Sequence, residues 1–356
     1  MTRTLEKASS SRPRGHVLVA GLMVALVVLA IVAIGTGQIP IAPAEIVGSL
    51  LHRLGLEIGP LPSHPQGEDA LWIVRLPRVV LGTLVGMALG CAGALMQGVF
   101  ANPLAEPGVI GVSAGAAAGA FAAIVAGVAI GGWGVALAAF GAGLLTTFVV
   151  YLLARGDGRT EVVTLVLTGI AINAFAGAAI GLLTFLSDDD ALRAMAFWNL
   201  GSLARASSPI VAVVAPCVLV GVLVAVGLGR RLDLLALGDR AARHLGVDVE
   251  RLRLVVIVLV AVLVASGVAF TGIIAFVGLV VPHIVRMAAG PGHRVLILGS
   301  ALGGAIVVVG ADLLARTLVP FQELPLGVLT ALVGGPFFFW LLRRQRAVAG
   351  GWASGG

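Results

Sequence analysis

The chain has 356 residues, of which 59% are hydrophobic and only 11% charged, and its mean hydropathy is +1.09. Soluble proteins carry about 25% charged residues, so this composition excludes an ordinary soluble domain and points to a polytopic membrane protein. The formal net charge of +6 has the sign that suits nucleic acid, but the basic residues fall between apolar runs, where they set topology, and no nucleic-acid partner is expected.

At the N-terminus, Arg3, Lys7, Arg12 and Arg14 precede an apolar run from Val17 to Ile34. The run is long enough to span a bilayer and no small-residue cleavage pattern follows it. It therefore predicts a retained first transmembrane helix behind a cytoplasmic tail, 1–14. Including this one, ten apolar segments follow in order: 15–36, 78–98, 108–128, 132–154, 162–186, 209–229, 253–271, 273–289, 295–315 and 324–342. Gly267, Thr271 and Gly272 supply the break between the seventh and eighth. The expected fold is all-α, a single membrane domain of about ten transmembrane helices over 15–345, with a C-terminal tail at 346–356. Glycines (50 of them) lie inside the apolar runs and suit close helix packing. Cys91 and Cys217 are isolated in apolar runs and read as small core residues, not as a disulfide or metal site.

Alternating the segments from a cytoplasmic N-terminus leaves 17 of the 23 basic residues on the cytoplasmic side and 6, Arg53, Arg75, Arg78, Arg193, Arg205 and Arg316, outside. The positive-inside rule favours this arrangement, with both termini in the cytoplasm. In this scheme 37–74 lies outside, with a surface helix near Ala42–Leu54.

Between the second and third segments, residues 97–115 read QGVFANPLAEPGVIGVSAG. Gln97, Asn102, Pro103, Glu106 and Pro107 interrupt the bundle, and backbone freed at such a break must be buried in protein or line a wet cavity. Asn102 and Glu106 are expected to bond the interrupted backbone beside a cytoplasmic gate. At 186–207, Asp188, Asp189 and Asp190 precede a short amphipathic helix bearing Arg193, Phe197 and Trp198 on the outer side. The largest cytoplasmic polar block, 230–253, places Leu232, Leu234, Leu235, Leu237 and Leu245 among charges. Asp239 is expected to cap a short helix ended by Gly246, whose apolar face needs a partner. The arginines of RLPR at 75–78 either anchor a helix or face a partner. Asp312 is a functional candidate as an acid at the membrane edge, or a partner of Arg316 one turn on. His283, alone on an apolar helix, reads as a packed residue. The only lysine is Lys7, so no phosphate-binding G-x-x-x-x-G-K-[ST] loop exists. The chain is expected to be no ATPase itself.

These strings, with LTGIAINAF at 167–175, FTGIIAFVGLVVPHIVRMAAGPGHR at 270–294 and ELPLGVLTALVGGPFFFWLLRR at 323–344, keep the order and spacing of one family over most of 70–345. The chain resembles the FecCD/BtuC-like permeases of bacterial ATP-binding-cassette importers for iron-siderophores, haem or vitamin B12. The resemblance implies a type II importer permease fold in the bacterial cytoplasmic membrane, a homodimer with its path on the twofold axis, two ATPase subunits holding ATP and magnesium, and a periplasmic or lipid-anchored substrate-binding protein. No cofactor or metal is implied in this chain. It further implies coupling to the ATPase through Gly238, Asp239, Ala242, Leu245 and Gly246, and docking of the binding protein on Arg75, Arg78 and Arg316. Gln97, Asn102, Pro103, Asn173, Arg193 and Trp198 are the expected path or gate residues. The pattern at 186–207 looks most like the haem permeases, with ferric siderophore or cobalamin as alternative cargoes. An ion-coupled secondary transporter, the remote alternative, would need charges near the midplane, where this sequence has almost none.

Overall fold

The computed structural model describes residues 11–128, 132–156, 159–319 and 322–350. Helix α1 spans Ser11–Gly35 and α2 spans Pro43–Arg53. Helix α3 runs from Gly67 to Val99. A 3-10 turn at Pro107–Ile110 leads to α4, Val112–Val125, and then α5, Gly134–Leu153. A small hairpin pairs β1, Arg155–Gly156, with β2, Arg159–Thr160. Then follow α6, Val162–Phe185; α7, Asp189–Leu200; α8, Ser208–Leu235; and α9, Asp239–His244. The chain continues through α10, Val249–Thr271; α11, Val277–Ala289; α12, His293–Thr317; and α13, Leu326–Gly350.

The fold is all-α apart from that hairpin. Seven helices of the described residues are long and apolar enough to cross a membrane, and α4, α11 and α13 to Trp340 are shorter apolar helices; together they fall on the ten segments predicted. Two predicted segments overshoot. Gly111 and Phe276, both with positive φ, start α4 and α11 at 112 and 277. The 14 residues of α4 reach about 21 Å at 1.5 Å per residue, against a hydrocarbon core of about 30 Å. The 3-10 turn at Pro107–Ile110 before α4 and the irregular backbone at 272–276 before α11 make up the difference, with Pro107 and Ile274 buried against protein. The second segment undershoots, because α3 begins at Gly67 and not near Arg78. Pro77 removes an N–H and crowds the preceding turn, and the chain answers with a wide π turn at Ala70–Arg75 instead of a helix boundary.

From Leu76 to Val99, helix α3 has no exposed residue. Its most extensive neighbour is α12, with α8, α10 and α11 closing around it; α4 and α5 pair beside α10, and α1 and α13 cover α12. The seam between α3 and α12 is made by small residues. A Cβ on Gly86 would run into the carbonyl oxygen of Gly304, and one on Gly90 into that of Ser300. Lipid offers no hydrophobic drive for helix association, so close backbone approach and dispersion must supply it. Helix α6 packs on α4, α5 and the 3-10 turn, leaving Val163, Leu167, Ile170, Phe175, Leu182 and Phe185 exposed.

The loops gather at two ends. The hairpin end holds 100–106, the β hairpin, α9 and 290–292. The α7 end holds α2, α7, the 272–276 break, 318–319 and 322–325, knitted by Ser202 N–H to Thr271 O at 2.8 Å and Leu326 N–H to Gly201 O at 3.0 Å.

Gly90→Ala is expected to destabilise the protein by about 1–3 kcal/mol through overpacking, read as a lower Tm in detergent. Gly227→Ala, where nothing lies within 4 Å of the new Cβ, should leave Tm unchanged; an equal fall in both would refute the seam.

Candidate docking and coupling sites at the two ends

At the α7 end, the structure brings Arg75, Arg78 and Arg316 together, yet turns each inward. Arg75, 7% exposed, donates to the carbonyls of Ile34 at 2.9 Å, Gly35 at 3.2 Å and Ile39. It thereby satisfies the open C-terminus of α1. Arg316 does the same from α12, donating to Thr36 O at 2.7 Å and to Ala33 O. Arg78 is held by two carboxylates. Its Nε and Nη2 meet Asp312 at 2.9–3.1 Å, and Nη1 and Nη2 meet Glu323 at 2.7 and 3.1 Å. Forked guanidinium geometry makes such paired bonds strong and directional. All three side chains are therefore committed to partners inside the chain. Asp312, 3% exposed, takes Arg78 as its main partner, and Arg316 only at 3.7 Å. Glu323 was not singled out from the sequence, and it lies 245 positions from the arginine it holds.

At the hairpin end, the 230–253 block is mostly not a loop. Arg230 to Leu235 belong to α8, and 249–253 to α10. Between them α9 is held down by fully buried Ala242, while Leu237 and Leu245 stand exposed on either side. Gly238 and Gly246 take positive φ at the two ends of the helix. Asp239 is the first residue of α9 and not its cap. Its carboxylate accepts both bonds from Arg253 Nη2 at 3.0 Å, because a buried guanidinium beside it competes better than orphan backbone N–H groups. The Asp233 carboxylate accepts from the His293 backbone N–H at 2.8 Å and contacts its ring at 2.7 Å, closing the start of α12. None of Asp233, Glu250 and Arg253 as ties was visible in the sequence, because each joins elements distant along the chain.

The expected path residues separate. Gln97, 2% exposed, donates to Leu279 O at 3.1 Å and links α3 to α11 beside Pro282. Asn102 accepts from Leu104 N–H at 2.9 Å, a local turn that satisfies the broken backbone. Pro103 turns its carbonyl toward buried His283. Asn173 ties α6 to the 3-10 turn through Gly108 O at 3.2 Å. Glu106, expected to bond the same backbone, makes no side-chain hydrogen bond among the described residues. Turn bonds from Val109 N–H and Gly111 N–H do that work, and burial raises the pKa of the Glu106 carboxyl above the usual range. On α7, Asp188 caps the helix through Ala191 N–H at 2.8 Å. Arg193 is exposed, and Trp198 packs edge-on against Phe121 with centroids 6.0 Å apart. An open cleft of about 490 Å³ between the ends of α4, α6 and α7 is lined by Ile124, Leu186, Asp188 and Asp190.

With this geometry in place, comparison with known proteins is informative. The sequence model of the FecCD transport family matches residues 25–344. A hemin transport system permease of Yersinia pestis is 44% identical over 78% of this chain and 86% of its own length. A cobalamin import permease of Halobacterium salinarum is 43% identical over 78% of this chain and 74% of its own. A solved structure, an inward-facing conformation of a metal-chelate type ABC transporter, superposes with a TM-score of 0.79 at 31% identity, covering 92% of this chain and 98% of that one.

Removing Arg78 strands a buried carboxylate, so Arg78→Met should cost about 3–5 kcal/mol. Glu323, with its side chain 45% exposed, should lose no more than about 1 kcal/mol as Glu323→Gln. Tm in detergent distinguishes them, and similar losses would refute the inward role of Arg78. Glu106→Gln should raise Tm at neutral pH, since the wild-type carboxyl ionises more readily unfolded than folded; the gain should vanish below about pH 4, where both states are protonated.

Proposed function

The chain belongs to the FecCD transport family, and from that premise we propose that it carries haem across the bacterial cytoplasmic membrane as half of a homodimeric permease. It is the permease subunit of an ATP-binding-cassette importer for haem, cobalamin or an iron chelate. The proposal adds the cargo, the partners and the orientation.

One observation carries the coupling part. Helix α9 is a short element buried only through Ala242, and the flanking Leu237 and Leu245 stand outward at a polar end of the molecule. Exposed leucines on a loop helix otherwise have nothing to bury against. An ATPase subunit on each protomer fills that need, holds the ATP and magnesium, and places the hairpin end and both termini in the cytoplasm. Helix α6 supports the dimer: its exposed apolar side faces away from its own bundle, where a second copy encloses a path on the twofold axis. The substrate-binding protein docks on the opposite, α7 end. There Arg75, Arg78 and Arg316 shape the docking face by fixing the ends of α1, α3 and α12, with Glu323 as the exposed member of the cluster.

Haem as cargo rests on α7. Exposed Arg193 and Arg205 meet its propionates at the mouth, and a path without an iron ligand lets the cargo leave. The relatives do not separate the cargoes, since the haem and cobalamin permeases are 44% and 43% identical.

Deleting 239–246 should abolish co-purification with the cognate ATPase; unchanged co-purification would sink the coupling role. A binding screen of the cognate substrate-binding protein against haem, cobalamin and ferric siderophores should select haem, and Arg193→Ala should then lower haem uptake into proteoliposomes. Selection of cobalamin or a siderophore would overturn the cargo while leaving the importer intact.

A further inference from the structure

Arg253 sits in the second turn of α10, 8% exposed, at the hairpin end. It joins three elements that are far apart in the chain. Nη2 donates to both oxygens of Asp239, the first residue of α9, at 3.0 Å. Nη1 donates to the carbonyl of Thr160 at 3.0 Å and approaches Glu250 at 3.4 Å. Glu250 in turn accepts the Thr160 N–H at 2.8 Å. Thr160 is 2% exposed and closes the β hairpin; the next residue, Glu161, is the N-cap of α6. Both backbone polar groups at the root of α6 are thus held by α10, and the same guanidinium holds the root of α9.

The two attachments differ in cost. The Asp239 side chain is 42% exposed, so water can replace the guanidinium. The Thr160 carbonyl is buried and has no such substitute, and leaving it unpaired is expensive. The Asp239 pair is therefore the link that yields first, and a displacement of α9 small enough to keep that pair is passed through the guanidinium to Thr160. A planar fork can serve both acceptors at once, whereas a lysine ammonium is a point charge that can serve one well.

We propose that Arg253 is a positioning residue for transport, transmitting the displacement of α9 through Thr160 to the first turn of α6. The inference rests on the reading of α9 as the ATPase docking element. It assigns to α6, the span with the exposed apolar face, a direct mechanical link to nucleotide binding.

The test uses the reconstituted complex of permease and ATPase with Cys91 and Cys217 replaced by Ala, so that it is independent of cargo. Spin labels at Arg240 and Val163, both exposed, report α9 and the first turn of α6, with one labelled protomer per complex. Distances are compared between nucleotide-free and ATP–vanadate states. In the parent complex the two labels should travel together, their separation holding within about 2 Å, the scale of packed-helix shifts. In Arg253→Lys the separation should change with nucleotide by more than that, while the ATPase still co-purifies. A parent separation that changes with nucleotide overturns the relay without any variant having to fold. An Arg253→Lys complex as rigid as the parent overturns the role of the fork. An ATPase that still binds after deletion of 239–246 overturns the docking reading instead.

Discussion

The seam between α3 and α12 is the constraint on which the rest of the structure depends. Two helices can lie backbone against backbone only where neither carries a side chain, and Gly86, Gly90 and Gly304 meet that condition. Once they do, α3 has no free face, and every polar group on it must find a partner inside the protein. Arg78 meets Asp312 at one end of the seam, and Gln97 meets Leu279 near the other. The start of α12 is closed by Asp233 beside the end of α3. The axis is thereby fixed at both ends, and α6, α7 and α9 lie around it.

This division explains what each group of polar residues does. Arg78, Asp312 and Gln97 on the axis have protein partners and little exposure, while the hydroxyl of fully buried Ser300 has no hydrogen-bond partner among the described residues. On the periphery, Arg193 on α7 is exposed with no partner among the described residues, and the apolar leucines beside α9 are exposed as well. Arg253 lies between these classes, buried like an axis residue but holding two peripheral elements.

Much of the fold was legible in the sequence, because a span of apolar residues declares itself by length alone. All ten predicted segments correspond to helices, and Gly272 does mark the break between α10 and α11. What was not legible came from competition between local and distant partners. Asp239 has the local signature of a helix cap, and a cation 14 positions away outweighs it. Asp312 has a local partner one turn on in Arg316, and a cation 234 positions away takes the better geometry. The second predicted segment began just after Pro77, and a widened turn before that proline lets the helix start at Gly67. The arginines were correctly grouped at one end but assigned to the surface, because their sequence neighbours give no sign of the open helix end at 33–36 that they satisfy.

The inward turn of Arg75, Arg78 and Arg316 has a consequence for how this face meets other molecules in solution. Of the six basic residues on that side, these three share the carboxylates of Asp312 and Glu323, which offset most of their charge. The remaining exposed charge near the mouth is mixed, with Asp188, Asp189 and Asp190 set against Arg193 and Arg205. Long-range attraction of a charged partner to this face is accordingly weak, and encounter rates there should vary little with ionic strength. Recognition at this end is left to shape and to contacts made at close range.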